Sequence, residues 1–292
     1  MAACVAVTAI SFFAARALTH HRSSRPSVTP ADSGLTYQVV PLKAKDGTAL
    51  EGWWIIPKDG VRRRDLATVV LAHAADGEKP ELLTGKAGML RHAVWLSRAG
   101  FIVLAFDFRS YGGSEGQETT GGVKEQQDLE AALRLVRERA IGAPVALLGE
   151  GMGANVGLRA QAQEPGIRAL IADSPAPNRM AALRAAAKAW TKLGLFSEQL
   201  MAQIPDSVAL GSLLRMAGAQ PLMLILGTRD RSWTLRDRQN AMTQIGAANA
   251  TWAWQPASGR LSASLFEPGE YEQRVLEFLG MAFDSTAQRA KA

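Results

Sequence analysis

The stretch Val145-Ala146-Leu147-Leu148-Gly149-Glu150-Gly151-Met152-Gly153-Ala154-Asn155-Val156-Gly157-Leu158 decides the fold. Four apolar residues closed off by glycine read as a short strand covered on both faces, and the run from Met152 is compatible with a helix. Between them, glycines at 149, 151 and 153 let the backbone turn sharply and pass close to its neighbours. A strand, a tight turn and a helix in that order raise the central residue of the turn above the end of a sheet. Here that residue is Gly151.

Outward from this stretch, strand and helix patterns alternate. Tyr37–Leu42 and Ala49–Ile56 flank Asp46-Gly47, a hairpin signal. Short apolar runs at Thr68–Ala72, Phe101–Phe106, Ala169–Ala172, Leu222–Leu226 and Thr251–Trp254 predict further strands. Helical patterns fall at about Leu82–Arg98, Val123–Ala140, Met152–Glu164, Thr234–Gly246 and Gly269–Met281. The expectation is an α/β fold: a mostly parallel twisted sheet opened by an antiparallel N-terminal hairpin, with helices on both faces. Ala176–Gly218 has helical spacing, many Ala and Met and no strand signal, which predicts a small helical cap inserted between two strands. On the strand at 49–56, alternation predicts one of Trp53 and Trp54 buried and the other exposed, whereas Trp252 and Trp254 share one face and are expected in the core.

At the N-terminus, Ala2–Ala15 is uncharged and apolar, and Arg16, His20, His21, Arg22 and Arg25 follow it. Fourteen residues fall short of the ~20 a spanning helix needs. A membrane anchor, a signal remnant and a helix lying on the domain are all open readings, with membrane association through residues 2–18, or export, preferred and a cytoplasmic location kept as the alternative. Ser23–Gly34 reads as a linker. The expected layout is therefore 1–34 as apolar segment and linker, 35–285 as the α/β domain with its cap at about 176–218, and 286–292 as a tail.

Composition narrows the function. The 292 residues are 47% hydrophobic and 21% charged, with a formal net charge of +6, which is ordinary globular usage. The basic residues form no stripe and interleave with no aromatic platform, so no nucleic-acid partner is expected. Cys4 is the single cysteine, which excludes an internal disulfide and a cysteine-based metal site. No cofactor or metal is expected. The oligomeric state is left open.

From about Leu35 to Leu279 the chain resembles the α/β-hydrolase superfamily, close to its esterase-like and prolyl oligopeptidase-like branches. The resemblance rests on several pieces in the family's order: Leu71-Ala72-His73-Ala74, the stretch from Gly100 through Asp107-Phe108-Arg109-Ser110-Tyr111-Gly112-Gly113-Ser114-Glu115-Gly116, the Gly149–Gly153 turn, Ala172-Asp173-Ser174-Pro175, and Leu226-Gly227-Thr228-Arg229-Asp230. It implies a nucleophile elbow at Gly149–Gly153 and oxyanion-hole donors at Ala74, Ala75 and Met152. It also implies an acid at Asp230, and a base on the turn Pro256-Ala257-Ser258-Gly259-Arg260 at position 260. His73, Asp107 and Arg109 would be structural.

In that chemistry a Ser attacks an acyl carbonyl, a His takes its proton and an acid orients the His. Position 151 offers no hydroxyl. The four histidines are His20, His21, His73 and His92, all before the elbow, so none follows Asp230. Arg260 stays protonated and has no lone pair to give; a salt bridge to Asp230 is expected. Ser114, Ser174 and Ser258 are the serines near the expected site, and each reads as a turn or cap residue. Glu150 should point away from the pocket. The chain is expected to be a pseudoenzyme that binds a small acyl, peptide-like or anionic ligand, or a partner. A hydrolase with a relocated nucleophile and a membrane-tethered interaction protein are the alternatives.

Overall fold

In the computed structural model the described residues are 27–57, 67–75, 85–164, 166–177, 214, 220–246 and 251–289. Strands β1 (Thr36–Lys43), β2 (Ala49–Ile56), β3 (Thr68–Ala72), β4 (Ile102–Phe106), β5 (Val145–Glu150), β6 (Ile167–Asp173), β7 (Leu222–Ile225) and β8 (Thr251–Trp254) form one sheet in the order β1-β2-β4-β3-β5-β6-β7-β8. β1 and β2 pair antiparallel, β2 is antiparallel to β4, and the pairs from β4 to β8 are parallel. The helices are α1 (Gly85–Gly88), α2 (Leu90–Arg98), α3 (Glu125–Arg139), α4 (Met152–Gln163), α5 (Leu235–Gly246), α6 (Ala263–Phe266) and α7 (Pro268–Arg289).

Strand residues of alternate parity feed two cores. Val70, Leu104, Leu147 and Leu170 point to one face with Leu129, Leu133 and Val156 of α3 and α4. Val69, Val103, Leu148 and Ile171 point to the other with Leu96 of α2 and Val275 and Leu279 of α7. Cover on both faces is why these strands are continuous apolar runs. It also corrects the reading of Trp53 and Trp54, which are both buried. Tyr37 meets the Trp53 ring edge-on, and the Arg139 guanidinium lies over the Trp54 ring. Trp254 is in the core as expected. Trp252 is 40% exposed because β8 is the edge strand, and it leans on Phe278.

Three other details differ from the expectation. Pro30–Ser33, within the expected linker, is a 3-10 turn held by reciprocal Thr29–Asp32 hydrogen bonds. The short α6 has no sequence signal, and α7 continues through Arg289, so the expected tail at 286–292 begins inside a helix. The apolar segment at 2–18 lies outside the described residues, as does all of the cap at 176–218 except residues 176, 177 and 214. Among the described residues no helix is long and apolar enough to cross a membrane.

The topology positions the site. β4 lies on one side of β3 and β5 on the other, so the chain reverses its winding direction between β3 and β5. In open α/β sheets the crevice beyond the carboxyl ends of such a pair is where ligands bind. His73–Ala75 leave β3 and Gly151 leaves β5 at that edge.

Candidate active site

Gly151 sits between β5 and α4 at φ 52°, ψ −112°, a region L side chains rarely adopt. Its N–H donates to Asp173 O (2.9 Å), and its carbonyl accepts from Asn155 N (3.2 Å). The flanking glycines are required by contact. A Cβ on Gly149 would lie 2.5 Å from Gly153 O, and one on Gly153 would lie 2.1 Å from Ala72 O, where Gly153 N–H already donates to His73 O. The turn is a sharp elbow packed tightly against β3, without a side chain at its tip. Gly153→Ala is expected to lower stability by at least ~2 kcal/mol in denaturant unfolding, because both clashing partners are backbone. A change below 0.5 kcal/mol would contradict this packing.

Ala74, Ala75 and Met152 stand at the same sheet edge, since Ala72 of β3 and Gly149 of β5 are register partners. His73 is buried and faces inward: Nε2 accepts from Phe108 N (3.0 Å) and Nδ1–H donates to Ala74 O (2.7 Å). Burial lowers its pKa, so it is neutral, and both ring nitrogens are engaged by backbone. It has no lone pair free for a hydroxyl.

After β7, Asp230 Oδ1 accepts from Ser232 N (2.8 Å) and Ser232 Oγ (2.7 Å). The Arg260 Nη1 lies 3.7 Å from Asp230 Oδ2 and 3.4 Å from Ser232 Oγ, with both charged side chains buried. The sequence-expected pair is therefore brought together as an ion pair. The turns that carry it are sewn together by Thr228 N to Pro256 O and Arg229 N to Ser258 O, both 2.9 Å, and a Cβ on Gly227 would lie 2.5 Å from Ser258 O.

The nearby serines divide. Ser114 Oγ donates to Asp107 O and accepts from Glu51 N, and Ser174 Oγ donates to Asp173 Oδ1 and accepts from Leu261 N, so both act as braces. The Ser258 hydroxyl is buried without a hydrogen-bond partner among the described residues. Asp107 and Arg109 brace loops as expected. Asp107 accepts from the Lys86 and Gly113 backbone N–H groups, and Arg109 grips Asp128 and Asp46. No group of metal-ligating side chains occurs among the described residues.

Sequence reading missed two groups. Asn155 holds Ala176, where the expected cap segment begins, reciprocally, Nδ2 to Ala176 O (2.9 Å) and Ala176 N to Oδ1 (2.8 Å), while Trp233 Nε1–H donates to Pro175 O (3.0 Å). The other is a buried polar cluster behind the elbow, built from Arg91, His92, Glu150, Asp173 and Tyr271. Neither leaves a local signal, since the partners come from distant segments.

Sheet order, helix placement and turn geometry together define the α/β-hydrolase fold. The family model for serine aminopeptidase, S33, matches residues 87–210. Among curated proteins, the chain is 35% identical over 143 residues to "Uncharacterized protein YfhR" of Escherichia coli O157:H7, covering 46% of each. It is 33% identical over 163 residues to the Salmonella typhimurium protein of the same name, covering 50% of each. The chain thus spans about half the length of the curated relatives it matches. Among solved structures, the Pyrococcus furiosus esterase Pf2001 superposes with TM-score 0.73 at 24% identity, covering 90% of this chain and 99% of that one. The α/β hydrolase GrgF from a Penicillium species superposes with TM-score 0.63 at 18% identity, covering 85% and 99%. These structural likenesses concern the fold.

Proposed function

We propose that this chain is a pseudo-hydrolase: a hydrolase scaffold that binds a small acyl, peptide-like or anionic ligand, or a partner, without turning a substrate over by the serine mechanism. The observation that carries the reading is the pairing of a bare elbow with an occupied base slot. Gly151 holds the strained elbow geometry, and Arg260 lies 3.7 Å from Asp230 where a catalytic His would receive its orienting acid. Catalysis needs an attacking oxygen and a proton acceptor in contact. At this site the first is a hydrogen atom and the second a permanent cation. Ligand binding needs less. Backbone donors at Ala74, Ala75 and Met152 would still polarise a carbonyl or hold an anion, and Arg260 would favour negative charge in the pocket.

Purified protein treated with excess fluorophosphonate and analysed by intact mass is expected to remain unlabelled, against full labelling of an active serine esterase. Stoichiometric modification of one serine would sink the proposal and support the second reading, a relocated nucleophile. Ser258 is the residue to inspect first, because its hydroxyl is buried near the base turn and has no partner among the described residues. A third reading, partner binding through residues 2–18, predicts that deleting them abolishes function while changes in the cap do not.

A further inference from the structure

The polar cluster behind the elbow is not used by the pocket. Glu150 and Asp173 end neighbouring parallel strands and are register partners, so their side chains leave the same face of the sheet side by side. That face is the one covered by α2 and α7, away from the pocket: Ala146, Leu148, Ala169 and Ile171, of the same strand parity, lie in its core. Both carboxyls are buried, 3% and 1% exposed.

The positive charge is unevenly shared. Arg91 of α2 binds Glu150 Oε1, its Nε–H donates to Ser264 Oγ of α6, and it also meets Gly88 O. His92 Nε2 is 2.8 Å from the same Glu150 oxygen. Burial together with Arg91 lowers the His92 pKa, so His92 is neutral and donates Nε2–H without adding charge. Asp173 Oδ1 accepts from Ser174 Oγ (2.8 Å). Its Oδ2 and the Tyr271 hydroxyl of α7 are both buried with no partner at full hydrogen-bond geometry among the described residues, while Tyr271, like Ser174, is placed to donate to the carboxyl and favours its ionised form against the opposing effect of burial. The β7 neighbour is apolar Ile225. Two carboxyls and one cation in a dry site leave one negative charge uncompensated, and adjacent buried carboxyls do not both ionise cheaply.

The same atoms hold the turn that carries Arg260. Ser174, at φ 51°, accepts the N–H of Leu261 (2.9 Å), itself at φ 51°, while Asp173 O accepts the elbow N–H of Gly151. We propose that Glu150 and Asp173 form a one-proton carboxyl pair that latches the Arg260–Leu261 turn to the end of the sheet, and that losing this proton releases the turn and with it the Arg260 plug. The proton passes to solvent and nothing else is consumed. The latch operates whether or not the pocket turns over a substrate.

The direction follows from the charges. Arg91 and His92 outweigh burial at Glu150 and hold it down to about 2, whereas burial and then the Glu150 charge push Asp173 up to about 7. The proposed open form is one in which Asp173 is hydrated, so that it titrates near the ordinary 3.8. Between those values the closed form carries a proton that the open form lacks. Closure is therefore fully favoured below about pH 4, weakens up to tenfold per pH unit as pH rises, and levels off above about pH 7.

Hydrogen exchange at the Leu261 amide reads this in the full chain. Expressed as a protection factor, so that intrinsic base catalysis is removed, it should fall at least tenfold between pH 5 and pH 7, and stay below that of Val70 in the β3 core throughout. Asp173→Asn keeps the shape of the protonated carboxyl and should make the Leu261 protection independent of pH. Glu150→Gln frees Arg91 for Asp173 and should move the fall below pH 5. A flat profile in the unaltered protein, or an undiminished slope in Asp173→Asn, would overturn the latch. Should neither variant fold, carboxyl 13C titration of the unaltered protein decides: an Asp173 resonance that titrates near 4 overturns it, and one near 7 sustains it.

Discussion

Gly151→Ser combined with Arg260→His is expected to hydrolyse an activated ester at least ~100-fold faster than Gly151→Ser alone, the lower end of what a positioned general base contributes. The backbone at 151 already has elbow geometry, so a serine there would project over the sheet end. It would pay strain on the order of 1–3 kcal/mol that glycine avoids, and a matching drop in unfolding free energy should accompany the gain. A serine without an acceptor for its proton remains a poor nucleophile. The acceptor needs an orienting acid, and Asp230 is the candidate: Oδ1 accepts from Ser232, while Oδ2 lies 3.7 Å from Arg260 Nη1 and has no hydrogen-bond partner among the described residues. Comparing kcat/KM of the single and double variants checks the assignment. Equal rates would show that position 260 does not deliver its side chain to the elbow.

The largest stability effect should come from Lys86→Met. Lys86 is fully buried, with Nζ 2.8 Å from Glu51 Oε1, in contact with Asp107 Oδ2, and 4.9 Å from the centre of the Trp53 ring. Methionine fills a similar volume but leaves Asp107, whose side chain is 1% exposed, without its counter-charge. Breaking a buried pair on one side costs about 3–5 kcal/mol, which in a domain of this size lowers Tm by ~10 °C. Adding Asp107→Asn removes the stranded charge and should recover part of the loss. Additive losses in thermal denaturation would show that the two groups are not coupled. Because Asp107 also accepts from the backbones of Lys86 and Gly113, this ion pair fastens α1 and the 107–116 loop beside the crevice.

The middle of the sheet was legible because strands β3 to β7 are covered on both faces. Each shows as an apolar run, and β2, β3 and β8 have the bounds the runs suggest. The same cover defeated the alternation argument at Trp53 and Trp54, since period-two reasoning assumes a wet face. The short α6 escaped notice because four residues hold no helical period, and Trp252 was misjudged because sequence does not say which strand lies at the edge. In the candidate site, the turns that carry Gly151, Asp230 and Arg260 could be located from local sequence, and the fold brings Arg260 within 3.7 Å of Asp230. Asn155, Lys86, Arg91 and Tyr271 could not be located in that way, because each acts on a partner from another segment.

What the order of residues determined alone is the architecture and the side chains available to it: alternating apolar runs call for a doubly covered parallel sheet, and a glycine at 151 with no histidine after 230 is a fact of covalent chemistry that no packing can alter. What only the folded arrangement decided is which charges meet. Arg260 beside Asp230, Lys86 between Glu51 and Asp107, and Glu150 beside Asp173 depend on strand order and register, which bring residues 30, 35, 21 and 23 positions apart into contact at one sheet edge. Electrostatic energies fall with distance and rise with burial, and neither quantity exists until the chain has closed on itself.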